Sequence, residues 1–273
     1  MRKVITNKAA RLLEYLEQQG KEIFTFQDVS GHLGHPNSPR IGEFLKDLID
    51  RELIMRINRG LYATIPYDMS AEDYFPNRYE IAKHLVGEKD YYIGYFSALS
   101  LYELTTQPAL TVQIVVKEKF NPSVNRIKKT DFQFIQKNRE KHFFGFREKL
   151  VDKYYRINCS LLEMTFIDCL DRPDLAGGIV EVAKGLSHAS NEIDFKLLLE
   201  FALKYDKQAV FKRLGFLLEL LEIGKPIVDQ LLAIRSHSYA VLDTTMPKEG
   251  KMISRWRLQL NEEPEEIKNQ LYT

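Results

Sequence analysis

The 273 residues are 44% hydrophobic and 28% charged, with ordinary glycine and proline content, so a sizeable core can form and a disordered chain is excluded. The formal net charge of +1 hides an uneven distribution, because residues 117–153 hold 11 Lys and Arg against 5 Asp and Glu. Cys159 and Cys169 lack metal-type spacing and are too few for a disulfide framework, which fits a reducing cytoplasm. The first residues contain no uninterrupted apolar stretch of signal-peptide type, and no segment reaches the length of a membrane span. The expectation is a soluble cytoplasmic protein with no membrane partner.

Ala9, Leu12, Leu13 and Leu16 mark one face of a helix over residues 6–19, with Gly20 placed to end it. Ile23 and Phe24 suit a short strand. Thr25 and Asp28 have the spacing of a capping box, with Phe24 and Val29 at the staple positions, so a short second helix is predicted to stop near Gly34. Ser38 then Pro39 is a cap followed by a first helical residue, and Ile41, Phe44, Leu45, Leu48 and Ile49 follow at helical spacing. Residues 54–65, IMRINRGLYATI, place two β-type runs around the turn Asn58-Arg59-Gly60, a hairpin with a cation at its tip.

Three helices followed by a basic hairpin predict a winged helix-turn-helix over residues 1–66, a layout in which helix and hairpin contact duplex DNA together. The third helix is the candidate recognition helix. The candidate DNA contacts are Thr25 and Gln27 at the start of the second helix, Asn37, Ser38 and Arg40 at the start of the third, and Lys46 on its outer face. Arg56, Asn58 and Arg59 complete the set on the hairpin, and Arg2 and Lys3 can add an arm. Gly42 permits close approach to a groove wall or close helix packing. Glu43, Asp47 and Asp50 oppose phosphate on the same helix. The alternative is that the module docks a protein and binds no DNA.

Residues 67–273 are expected to form a larger mixed domain, making the whole chain α+β. Residues 66–75 read as a linker and a new helix entry. Helices are expected near 81–87 and 96–104, and strands at 91–93, 111–116, 131–136, 143–146 and 154–157. Ser160 and Glu163 have the spacing of a second capping box opening a helix to Leu170. Further helices are expected at 175–186, 194–204, 207–221 and 225–234, and late strands at 239–242 and 255–260. Within the basic block, Lys117, Lys119, Arg126, Lys128 and Lys129 are candidate secondary phosphate contacts.

Other constellations read as structural. Asp168, Asp171 and Asp174 bracket a helix end, where Asp serves as a turn or cap residue more often than as a metal ligand. Gly177-Gly178 lacks the spacing and terminal Lys of a phosphate loop and suits helix packing. The six histidines are scattered without ligand spacing, and the cysteines suit buried apolar positions. The aromatic run Tyr91, Tyr92, Tyr95 and Phe96 suits a strand core. No cofactor, metal site or catalytic set is expected.

Four segments in order, LIMRINRGLYAT (53–64), YYIGYFSALSLYELTTQ (91–107), SLLEMTFIDCLDRPDLAGGIVEVAKGL (160–186) and RLGFLLELL (213–221), carry a family likeness. Together they resemble the AbiE-type antitoxin and transcriptional-regulator family of bacterial type IV toxin–antitoxin systems, over almost the whole chain. The resemblance implies an autorepressor acting at inverted-repeat operators of an abortive-infection operon. It also implies an antitoxin domain that counters a nucleotidyltransferase-like toxin without a stable complex, and no enzymatic activity.

Overall fold

The computed structural model describes residues 3–34, 39–105, 107–120, 125–151 and 155–271. Helix α1 (Asn7–Gln18) leads through strand β1 (Ile23–Thr25) to helix α2 (Phe26–Leu33), helix α3 (Pro39–Asp50) and the strands β2 (Ile54–Asn58) and β3 (Leu61–Thr64). Local chemistry sets these limits. Thr6 caps α1 by accepting the Ala9 N–H, and Gly20 at φ +63° lets its own N–H and that of Lys21 close the last carbonyls. The Thr25–Asp28 capping box opens α2, and a left-handed Gly34 ends it. Strand β3 lies between β1 and β2, antiparallel to both, with a bulge between Arg56 and Asn58.

Successive residues of a strand leave on opposite faces, and in this small sheet both faces are apolar. Phe24, Ile54 and Tyr62 join Leu12, Leu16, Val29, Ile41, Leu45 and Leu48 in a core beneath the three helices. Ile23, Met55, Ile57, Leu61, Ala63 and Ile65 enter a different core, shared with Tyr79, Ile81, Ile93 and Ile114 from beyond residue 66. The Glu22 carboxylate accepts the phenols of Tyr74 and Tyr155 across the same boundary. The first 66 residues are therefore packed on the rest, not merely tethered to it.

The middle of the chain runs through α4 (Arg78–Val86), β4 (Tyr91–Ile93), α5 (Tyr95–Leu101), β5 (Thr111–Val116), β6 (Arg126–Ile127), β7 (Thr130–Gln136), β8 (Phe146–Leu150) and β9 (Arg156–Ser160). Its strands form a six-stranded mixed sheet in the order β6-β7-β5-β4-β9-β8, with β5–β7 and β4–β9 parallel. One face meets the hairpin sheet and α4. The other carries Tyr92 and Val115 against Tyr95 and Leu175. The remainder comprises α6 (Leu162–Asp171), α7 (Ile179–His188), α8 (Phe195–Tyr205), α9 (Gln208–Leu220), α10 (Lys225–Ile234), β10 (Ala240–Val241), β11 (Lys251–Ile253), β12 (Leu258–Leu260) and α11 (Pro264–Gln270). These elements enclose the largest core around Phe166, Leu214 and Trp256. The α+β class is as expected. Among the described residues, no helix is long and apolar enough to cross a membrane.

Several expectations are corrected. The capping box at Ser160 and Glu163 does not form. Ser160 is the last residue of β9, its hydroxyl lies 2.7 Å from that of Thr165, and Glu163 instead accepts the Asp194 N–H, so Leu161 occupies the N-cap without a side-chain bond. Gly177 and Gly178 lie ahead of α7, at φ +80° and +94°. A side chain at Gly178 would crowd the Asp243 carboxylate, which caps α7 by accepting the Ile179 N–H at 2.6 Å. The strands expected at 143–146 and 154–157 fall later, at β8 and β9, and β11 was not anticipated.

Gly215 on α9 sits directly beneath the Trp256 indole, whose Nε1 donates to Glu219 at 2.7 Å. A Cβ at Gly215 would overlap the indole ring. Gly215→Ala is expected to lower unfolding stability by about 2 kcal/mol in chemical denaturation, despite the better helix propensity of alanine. An unchanged or raised midpoint would contradict this packing.

Candidate nucleic-acid interface

Burying Ile41, Leu45 and Leu48 turns Arg40, Glu43, Lys46 and Asp50 of α3 toward solvent. Asp47, one of the three acidic residues that oppose phosphate, is held by Arg51 one turn later at 2.8 Å. Gly42 is exposed and a Cβ there would meet nothing within 4 Å, so helix packing does not require it. Lys46 has no ion-pair or hydrogen-bond partner among the described residues. Arg2, Asn37 and Ser38 lie outside them.

The hairpin closes through Gly60 at φ +73°, and the Arg59 N–H donates to Asn58 Oδ1 at 2.7 Å. Arg59 is exposed and its side chain is unpaired among the described residues. Arg56 stands opposite Tyr62, whose ring stacks on Phe24 in the helix-side core, so Arg56 leaves the sheet on the face that bears the helices. The Phe26 N–H donates to the Gly60 carbonyl at 2.9 Å, fixing the hairpin tip against the start of α2. That contact and the pairing of Thr25 with Leu61 set the start of α2 against the hairpin turn. Gln27 is exposed. The Thr25 hydroxyl is engaged locally, accepting the Asp28 N–H and donating to Asp28 Oδ2 at 2.7 Å.

Two further cations belong to this module and were missed in the sequence. Lys8 lies over the Phe44 ring at 4.3 Å, joining α1 to α3. Lys8 and Arg11 line a groove of about 750 Å³ with Gln18 and the stacked pair Tyr15 and His32. The available signal was their i, i+3 spacing along the flank of the Ala9–Leu12–Leu16 stripe.

The basic block does not make one continuous patch. Lys117 pairs with Glu140, Arg126 with Asp131, and Lys141 with Asp206. Lys128 donates to the carbonyls of Ala71, Glu72 and Tyr74, clamping the β6–β7 turn onto the segment after the hairpin sheet. Lys137 is buried against Asp168. Of the five candidate secondary contacts, Lys119 and Lys129 stand exposed without a partner among the described residues.

The aspartates after α6 diverge. Asp168 takes Lys137 and the Tyr92 phenol, Asp171 takes Lys207 and the Tyr205 phenol, and Asp174 takes Arg172. Among the described residues no group of three His, Cys, Asp or Glu is placed to hold a metal ion. Burial pushes the Cys159 thiol up to about 12, and the Cys169 thiol also rises, which suits packing rather than nucleophilic attack.

No family model and no curated protein matches the chain. A search of solved structures finds similarity to the RV2827C protein from Mycobacterium tuberculosis, with a TM-score of 0.69 at 14% identity, covering 94% of this chain and 92% of that one. At that identity the likeness concerns the fold.

The Asp28 carboxylate anchors the α2 start that holds the hairpin tip. Burial alone would raise its pKa, but the hydrogen bonds from Lys21 and Thr25 outweigh this and hold it below the usual carboxylate value. A depressed folded pKa contributes stability above the unfolded pKa of ~3.9, and that contribution is lost as pH falls through the lower, folded value. Asp28→Asn is expected to be about 1 kcal/mol less stable at neutral pH, with the gap closing below pH ~3 in acid-titrated melts. A gap that stays constant with pH would sink this account.

Proposed function

We propose that this chain is a DNA-binding autorepressor and antitoxin of a type IV toxin–antitoxin operon, with residues 1–66 acting as a winged helix-turn-helix. The observation that carries the DNA half is the placement of cations on one module. Exposed Arg40 and Lys46 lie on the outer face of α3, Arg56 leaves on the helix-bearing side of the sheet, and Arg59 stands at the hairpin tip tied to α2. In this reading α3 enters a major groove, and Arg59 reaches the adjoining minor groove or its phosphates. Gln27 and Asn58 flank the tip. Lys8 and Arg11 extend the cationic face along α1, and Lys119 and Lys129 are left for secondary contacts.

The antitoxin half rests on the four resembling segments, which span both the hairpin and the helical part. The functional partner in this reading is a nucleotidyltransferase-like toxin, countered without direct contact.

The test is a gel-shift titration of the purified chain on DNA upstream of its own gene, across a salt series. Affinity should fall steeply with salt, and Arg40→Ala and Arg59→Ala should each weaken binding by about tenfold and flatten the salt slope by roughly one. Wild-type affinity in both variants would remove this face from DNA. Negligible binding together with a stoichiometric co-purifying protein would assign the module to protein docking.

A further inference from the structure

Lys212 on α9 is 1% exposed, and among the described residues no carboxylate pairs with it. Its Nζ donates to Ser236 Oγ at 3.0 Å, to Ser238 Oγ at 3.3 Å and to the Ser238 carbonyl. Two guanidinium groups accompany it. Arg235 uses Nη1 on the Leu232 carbonyl, while its Nε is buried and has no acceptor among the described residues. Arg257, at φ +52°, packs its guanidinium over the Tyr239 ring and donates to the Tyr239 hydroxyl at 3.3 Å. Among the described residues none of the three lies within 4 Å of a carboxylate oxygen. Burial, then Arg235 and Arg257, hold the Lys212 ammonium below its usual pKa, with no acid acting in the opposite sense.

The hydrogen-bond directions are decisive. An ammonium only donates, so both serine oxygens accept from Lys212. The two hydroxyls lie 2.9 Å apart, and one can donate to the other. The remaining O–H then has no acceptor among the described residues. Ser238 is exposed while Lys212 is not, so the ammonium lies beneath the serine hydroxyls. A buried cation is ordinarily paired, because removing it from water costs several kcal/mol. A tetrahedral oxyanion at the exposed Ser238 hydroxyl supplies what is missing: an acceptor for the serine O–H, and negative charge against three cations.

We propose that Lys212, Arg235, Arg257, Ser236 and Ser238 form a binding site for a small dianionic phosphate, either inorganic phosphate or a phosphomonoester. Charge favours a small ligand over a duplex. A phosphomonoester carries close to two negative charges at neutral pH. A duplex presents singly charged phosphodiesters spread along its axis, which an extended exposed surface meets better than one recessed ammonium. The site uses none of the residues assigned to DNA contact.

The test is calorimetric titration of the full chain with inorganic phosphate, with a nucleoside 5′-monophosphate and with a short duplex, against chloride at matched ionic strength. Saturable binding of phosphate or the monophosphate is expected, and tighter binding of the monophosphate would mark a phosphomonoester as the ligand. Lys212→Met disturbs the interior, so the deciding variants are Ser238→Ala and the pair Arg235→Gln with Arg257→Gln, checked for native near-UV circular dichroism. The double arginine variant should weaken binding by about tenfold or more, and Ser238→Ala by less. Absence of saturable binding to either small phosphate, undiminished affinity in the double variant, or binding of the duplex alone would each overturn the proposal.

Discussion

The small hairpin sheet is buried on both sides, and the rest of the structure is arranged around that constraint. A sheet covered on one face reads as alternating apolar and polar residues. Here Ile54 and Met55 point in opposite directions and both are buried, as do Leu61 and Tyr62. The three helices cover one face and the middle of the chain covers the other. Among the described residues of β2, β3 and their turn, Arg56 and Arg59 are the exposed ones. Swinging the N-terminal helices away with their sheet would expose Met55, Ile57, Leu61, Ala63 and Ile65. By burial area that would cost on the order of 10 kcal/mol. The cationic face of α3 and the hairpin is thus held in a fixed relation to the six-stranded sheet.

This also explains why residues 1–66 read as a separable module although they share a core with the middle of the chain. The caps and turns within them are local: Thr6 to Ala9, Thr25 to Asp28, Gly34 and Gly60. Local signals are visible in sequence because both partners lie within a few residues. The outward face of α3 was legible for the same reason, since its apolar stripe leaves Arg40 and Lys46 no other direction. Which side of the sheet Arg56 takes depends on pairing with β3 and on the bulge, and neither is written in the spacing.

The remaining misreadings share one cause. Ser160 and Glu163 have the spacing of a capping box, yet Ser160 is claimed by the β8–β9 ladder and Glu163 by a backbone N–H thirty-one positions away. Gly177 and Gly178 belong to a bend that only the distant Asp243 explains. The surplus charge of residues 117–153 looked like a free surface, but Lys137 turns inward to Asp168 and the exposed Lys128 is tied to backbone carbonyls remote in sequence. In each case a long-range contact with a better-satisfied geometry displaced a plausible local one.

The interior cations show how a structural charge differs from one awaiting a ligand. Lys137 is buried, but it faces Asp168, which also accepts the Tyr92 phenol at 2.9 Å, so both members of the pair are answered. Arg213 is buried too, and its guanidinium is used on the carbonyls of Leu170 and Val241 while Asp171 and Asp243 supply negative charge nearby. Lys212 is the very next residue along α9 toward the N-terminus, and it faces the opposite kind of surroundings. Its acceptors are neutral, and the charged groups acting on it are Arg235 and Arg257. Two adjacent residues of one helix, both removed from water, are therefore treated differently by the fold: one is completed from within the chain, and the other has no counter-charge among the described residues and lies beside an exposed serine. A purely structural role would favour an apolar residue at position 212, because burial of an unpaired ammonium is unfavourable whatever the packing. The arrangement becomes favourable once an anion joins the two guanidinium groups and the serine hydroxyl.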